Sequence, residues 1–270
     1  MKFLISLGIF CISMVSFGQS TQPYSIGVID SIYSKELGEY RRLNIYLPLE
    51  YSKDSADKFQ VIYLIDGSHD EDFLHVSGII QFCNYPWINW VKPSIVIGIE
   101  NVDRKRDLTF ETTIEEDKKK FPTTGSSAKF MSFIEKELQP YIEKNYSNSE
   151  DKMLIGQSLG GLFATEMLLK KTSLFNTYMI VSPSIWWDKE SLFNFADTLE
   201  TVKLEKPIKV YVAVGDEGKT MEADARRLYR YIHKAKNPNI QGYFEYFKEN
   251  NHADILHVAL LKGFRKIGGK

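Results

Sequence analysis

The sequence predicts an α/β fold, with a mostly parallel central sheet and helices on both of its faces. Three observations predict it. Short apolar runs alternate along the chain with stretches whose apolar residues recur at helical spacing. One such run, residues 153–155, passes through a glycine-rich turn straight into an apolar helical pattern. The 270 residues contain no linker-like stretch, so the chain suits one sizeable domain better than two small ones. Strands separated by helices imply a parallel sheet covered on both sides, and in such sheets chemistry collects at the carboxyl ends of the strands.

The elements follow in order. Residues 1–18 read as a secretory signal peptide: Lys2 precedes a mostly apolar run, and Ser16-Phe17-Gly18 offers small residues at cleavage spacing. The run falls short of the roughly 20 residues a membrane span needs. The expectation is export, to the periplasm or the medium, of a single domain over residues 19–270. Cys11 sits mid-run after Phe10, where a lipoprotein signal wants a small residue. Cys83 is then the one cysteine of the mature chain, with no disulfide partner and the character of buried filler.

Residues 25–33 and 41–46 read as an antiparallel pair ended by Pro48, and residues 59–65 and 94–99 as buried strands. Between these two, residues 72–82 carry Phe73, Val76, Ile79 and Ile80 on one helical face. Ser126 and Ser127 stand where a long helix begins, and Pro140 is placed to kink or break it. After the strand and helix around residue 158 come strands at 176–181, 208–214 and 242–247, and helices at 220–236 and 254–267.

A net charge of −1 provides no electrostatic basis for a nucleic-acid or anionic-membrane partner. The sequence carries no repeat, low-complexity tract or phosphate-binding glycine loop.

The chemistry centres on Gly156-Gln157-Ser158-Leu159-Gly160. A Gly-x-Ser-x-Gly string arises by accident in roughly one chain of this length in ten. Its setting between a buried strand and a helix is less accidental, because a nucleophile elbow needs that position: the strained turn exposes the serine oxygen, and small neighbours relieve crowding. The helix start aims free N–H groups and its positive dipole end at a developing oxyanion.

In this architecture the order along the chain is serine, acid, histidine. His233 lies in a strongly helical stretch and His257 inside the last helix, whereas His252 sits in the loop between the last strand and the last helix. His252 is therefore the expected general base. For the acid, Glu217 and Asp216 both follow the strand ending near Val214, and Glu217 is preferred. Asp224 falls in a helix, on what reads as a solvated face, and a Ser-His dyad with no acid stays open. The backbone N–H of Leu159 is one expected oxyanion donor, and that of Ser68, in the "DGSHDED" loop, is the other. His69, Asp70, Glu71 and Asp72 in that loop read as a solvated acidic helix start, and serine hydrolysis requires neither metal nor cofactor.

Seven blocks in order, "RRLNIYLP", "VIYLIDG", "IVIGIENVDRKRDLT", "FMSFIEKELQPYIEKNY", "LIGQSLGGLFA", "FNTYMIVSPSIWW" and "VAVGDEG", cover nearly the whole mature chain. Together they resemble the Putative esterase family of α/β-hydrolases, which includes esterase D-like enzymes, siderophore esterases, and feruloyl and acetyl-xylan esterases. The resemblance implies an α/β-hydrolase fold and cofactor-free hydrolysis of a carboxylic ester, with Ser158 as nucleophile and His252 as base. It matches Ser68 to the family's oxyanion loop and Glu217 to the acidic position of siderophore-esterase-like members, some of which use a dyad. Two positions depart from the family pattern: Gln157 stands where histidine is frequent, and Ala253-Asp254 follow His252 where a Gly-Ser pair is frequent. Both bear on substrate preference more than on activity.

The expected substrate is a small-molecule or oligosaccharide ester, either a catecholate siderophore ester or an acylated or feruloylated sugar. Trp186 and Trp187 follow a strand next to the elbow and offer either ring stacking on substrate or core packing. Arg104, Arg106 and Asp107 end another strand; an anion contact by Arg104 competes with a structural ion pair, the better reading. Gln157 is the remaining candidate substrate contact. Residues 115–120 pair opposite charges at helical spacing, as a solvated surface does. The rival classes are a non-catalytic siderophore- or glycan-binding protein on the same scaffold, and a thioesterase or acyltransferase.

Overall fold

In the computed structural model, which describes residues 23–269, eight strands form one sheet. β1 (Gly27–Ser34) and β2 (Glu39–Tyr46) are an antiparallel hairpin, and β2 also runs antiparallel to β4 (Ser94–Ile99). β3 (Gln60–Leu64), β5 (Lys152–Gln157), β6 (Thr177–Val181), β7 (Ile208–Gly215) and β8 (Ile240–Phe247) continue from β4 with every pairing parallel. The spatial order is β1-β2-β4-β3-β5-β6-β7-β8. The mostly parallel α/β sheet expected from the sequence is thus present. The signal peptide expected at residues 1–18, with Cys11, lies outside the described residues.

The helices are α1 (Phe73–Asn84), α2 (Arg104–Leu108), α3 (Glu115–Lys120), α4 (Ser127–Phe133), α5 (Gln139–Asn145), α6 (Leu159–Lys170), α7 (Thr198–Thr201), α8 (Gly218–Lys234) and α9 (Ile255–Ile267). Because successive strand side chains point to opposite faces, each inner strand feeds two cores. On one face Tyr63, Leu154, Ile180 and Val212 meet Phe130 and Phe133 of α4, Leu162 and Phe163 of α6, and Leu228 of α8. On the other, Ile62, Ile155, Met179 and Tyr211 meet Val76 and Ile80 of α1 and Ile255, Leu260 and Phe264 of α9. Cys83 is buried in this second core, where burial pushes its thiol up to about 12. Among the described residues, no helix is long and apolar enough to cross a membrane.

The break expected at Pro140 is present, and one local expectation is corrected. The helix beginning at Ser127 does not continue as one α-helix: residues Ile134–Leu138 form a π-helical turn, and α5 starts behind it with Pro140 in its first turn. Proline has no N–H to donate back along the helix, so the ladder slips by one residue just before it. Asp224 does not lie on a solvated face of α8. It is 2% exposed, and its Oδ2 has no hydrogen-bond partner. Burial first, and then the charge of Glu190, push its carboxyl up to about 6. The charge run at 115–120 does form the largely exposed α3, with Lys118 2.9 Å from Glu115.

Candidate active site

β5 ends at Gln157 and α6 begins at Leu159, leaving Ser158 alone on the turn with φ 60° and ψ −120°. That left-handed φ is unfavourable for a residue with a Cβ and persists only where the surroundings enforce it. Here they do. The Ser158 N–H donates to Val181 O at 3.1 Å, and its carbonyl accepts from the N–H groups of Leu162 at 2.9 Å and Ser184 at 3.0 Å. The flanking glycines are required by space: a Cβ on Gly156 would lie 2.2 Å from Gly160 O, and one on Gly160 would crowd Ile65 and Asp66 at 3.1 and 3.2 Å. The Leu159 N–H, in the first turn of α6, has no carbonyl within the helix to bond.

β7 and β8 bring the other two groups to the same end of the sheet. His252 follows β8 and is 45% exposed at its side chain; its Nδ1 is 2.5 Å from Glu217 Oε2. The Glu217 carboxylate is only 2% exposed, and its other oxygen accepts from Ser182 Oγ at 2.5 Å and from the Gly215 N–H at 2.9 Å. Burial alone would raise this carboxyl, yet the hydrogen bonds from His252, Ser182 and Gly215 together hold it below the ordinary carboxylate range. A carboxylate that accepts at Nδ1 leaves Nε2 free to act as a base. Asp216 points away: its side chain is exposed, and its N–H is used on Asn250 O at 2.7 Å. Ser158 Oγ rests 3.5 Å from Ser184 Oγ and makes no hydrogen bond to His252 in this state.

Ser158 opens onto a cleft of about 290 Å³ lined by Asp66, Glu71, Asp72, Arg104 and Gln157. Arg104 is not a free cation there, because its Nε and Nη2 hold both oxygens of Asp66 at 2.7 and 2.8 Å. Arg106 and Asp107 are likewise structural, in a cluster with Glu39 and the buried Arg41. Glu71 and Asp72 face the cleft instead of forming the wholly solvated helix start expected, whereas His69 and Asp70 are exposed. Burial first, and then the nearby Asp66 charge, raise Asp72 to about 6. The Ser68 N–H is engaged weakly, by Glu71 Oε2 at 3.4 Å. Among the described residues, no three His, Cys, Asp or Glu side chains converge on a metal position. A larger cavity of about 940 Å³ lies at the amino ends of the strands, around Gln60 and Thr177, away from Ser158.

The two tryptophans separate. Trp187 is buried and donates its indole N–H to Phe110 O at 2.9 Å, so it is core and not a substrate contact. Trp186 is 41% exposed, two residues beyond Ser184. Gln157 donates from Nε2 to the main-chain oxygen of His252 at 2.6 Å. Sequence reasoning missed Ser182 and Ser184, since a serine in a strand-end loop carries no pattern of its own. The "SPS" after β6, immediately beside the elbow strand, was the available signal.

A family model described as Putative esterase matches residues 34–254. The ferri-bacillibactin esterase BesA of Bacillus subtilis is 29% identical over 267 residues, covering 92% of each chain. The crystal structure of the BES protein from Bacillus cereus superimposes with a TM-score of 0.82 at 27% identity, over 94% of this chain and 98% of that one. An IroE-like serine hydrolase from Shewanella oneidensis follows with a TM-score of 0.79 at 25% identity, over 89% and 79%. The fold is that of the α/β-hydrolases.

Proposed function

Because the chain belongs to the Putative esterase family and is a carboxylic ester hydrolase, we propose that it is an exported serine esterase that opens siderophore esters through an acyl-enzyme. One observation carries the catalytic part: the strained Ser158 elbow and the His252–Glu217 pair stand together at the carboxyl ends of β5, β7 and β8. The substrate part rests on the full-length relative named as a ferri-bacillibactin esterase. The half-exposed Trp186 supports it, as an indole on which an aromatic ring of a substrate, such as a catechol, stacks.

In this reading Ser158 Oγ leaves Ser184, gives its proton to His252 Nε2 and attacks the ester carbonyl. The N–H groups of Leu159 and Ser68 take the oxyanion, Ser68 releasing its long bond to Glu71; an oxyanion-hole donor is worth about 3 kcal/mol in serine hydrolysis. His252, held as imidazolium against Glu217, returns the proton to the departing alcohol, and water repeats the sequence on the acyl-serine. Export follows from the leader read at residues 1–18.

The test is hydrolysis of p-nitrophenyl butyrate and of a ferric tris-catecholate trilactone by the wild type and Ser158→Ala, with fluorophosphonate labelling alongside. Turnover of both substrates, lost in the variant, supports the reading. A wild-type chain that binds the siderophore without turnover or labelling is a binding protein instead. Preferred transfer of the acyl group to an added alcohol or thiol would make it an acyltransferase.

A further inference from the structure

The catalytic histidine sits on a loop that is held mostly by its own atoms. Asn251 N–H donates to Asp254 Oδ1 and Ala253 N–H to Asn251 Oδ1, each at 2.8 Å, and the Ile255 N–H returns to Asn251 O at 3.2 Å. The neighbouring Asn250 carbonyl accepts from Asp216 at 2.7 Å. At His252 itself, among the described residues, two hydrogen bonds arrive from outside the loop. Glu217 holds the ring at Nδ1, and the Gln157 amide holds the main-chain oxygen at 2.6 Å. The acceptor is a carbonyl, so the amide must present its NH₂ and the orientation of Gln157 is settled.

A ring held only at Nδ1 can still pivot about that bond and carry Nε2 away from the nucleophile. Fixing the main chain as well removes the pivot. The residue that does so is the one immediately before Ser158, the last of β5. The base-bearing loop is thereby referenced to the same strand end that carries the nucleophile, across 95 residues of sequence.

We propose that Gln157 is a positioning residue, whose amide sets the distance between His252 and Ser158 by anchoring the His252 carbonyl; the proposal rests on the Ser-His reading above. One N–H of its NH₂ is spent on the His252 carbonyl, and that bond is what holds the base in place. This accounts for an amide at a place where a short apolar side chain could not reach the loop.

The test compares wild type, Gln157→Ala and the near-isosteric Gln157→Glu on p-nitrophenyl acetate and butyrate. The rate of fluorophosphonate labelling at Ser158 is read for the same series in both the wild-type and the His252→Ala backgrounds. In the wild-type background both variants should lower kcat about 10-fold on both esters, with KM within about two-fold; such a loss corresponds to about 1.4 kcal/mol. In the His252→Ala background the effect of Gln157→Ala should collapse to within about two-fold, since there is no base left to place. Far-UV circular dichroism checks folding, and Gln157→Glu carries the comparison if the alanine variant is unfolded. Three results would overturn the proposal: kcat within two-fold of wild type, a loss confined to one ester with a raised KM, or the same loss with and without His252. Full activity of His252→Ala would instead sink the Ser-His reading beneath it.

Discussion

Replacing Glu217 by Gln tests the acid with little change of shape. The carboxylate accepts from Ser182 Oγ at 2.5 Å, from the Gly215 N–H at 2.9 Å and, on its other oxygen, from His252 Nδ1 at 2.5 Å. A glutamine has one acceptor oxygen. Turning its NH₂ toward Gly215 would oppose two N–H donors, so the oxygen stays with Ser182 and Gly215 and the NH₂ faces Nδ1. Nδ1 must then accept, which moves the ring proton to Nε2 and leaves no base for Ser158. The same tautomer reversal in a serine protease lowers kcat about 10⁴-fold. His252 is 45% exposed, so water competes for its nitrogens, and a smaller loss of about 10³-fold, or about 4 kcal/mol, is expected here. The assay is kcat on p-nitrophenyl butyrate at pH 7.5, with Asp216→Asn as control at wild-type level. A Glu217→Gln kcat within ten-fold of wild type would refute the assignment and favour a dyad, and a larger loss in Asp216→Asn would refute it in favour of Asp216.

Three further predictions follow from burial and charge. The folded carboxyl of Glu217 lies below its ordinary value, so its stabilisation is present above the unfolded pKa and fades as pH falls through the folded one; Glu217→Gln should flatten the loss of Tm below about pH 4.3. Asp224 has the opposite sign, because its folded value is raised to about 6: its penalty grows as pH rises from about 4 to 6, so Asp224→Asn should raise stability by about 1 kcal/mol at pH 7 and not at pH 4, by urea denaturation. Trp187→Ala should cost about 3–5 kcal/mol through the cavity and the lost bond to Phe110, whereas Trp186→Ala should leave Tm unchanged and raise KM for esters with an aromatic acyl group.

Much of the fold was legible because periodicity and burial are local signals. The runs that became β3 to β7 are apolar on both faces, as parallel strands buried between helix layers must be, and the turn around Ser158 announced itself through glycines that its close packing requires. The long helix after Ser126 was legible only in part, since proline marks a break without saying that a π-turn absorbs it. Asp224 was misplaced because helical spacing puts a residue on a face and cannot tell whether another part of the chain covers that face.

By itself the sequence determined the alternation of strands and helices, the elbow serine, and the choice of His252 as the histidine in a strand-end loop. Tertiary structure alone decided which carboxylate meets that histidine, which tryptophan is open, and that Arg104 is occupied by Asp66. Asp216 and Glu217 are neighbours with the same chemistry. They are distinguished only because Gly215, at the end of β7, and Ser182, just after β6, fold Glu217 inward while Asn250 takes the Asp216 backbone. Such pairings depend on distances between segments far apart in the chain, which arise when the sheet closes its order.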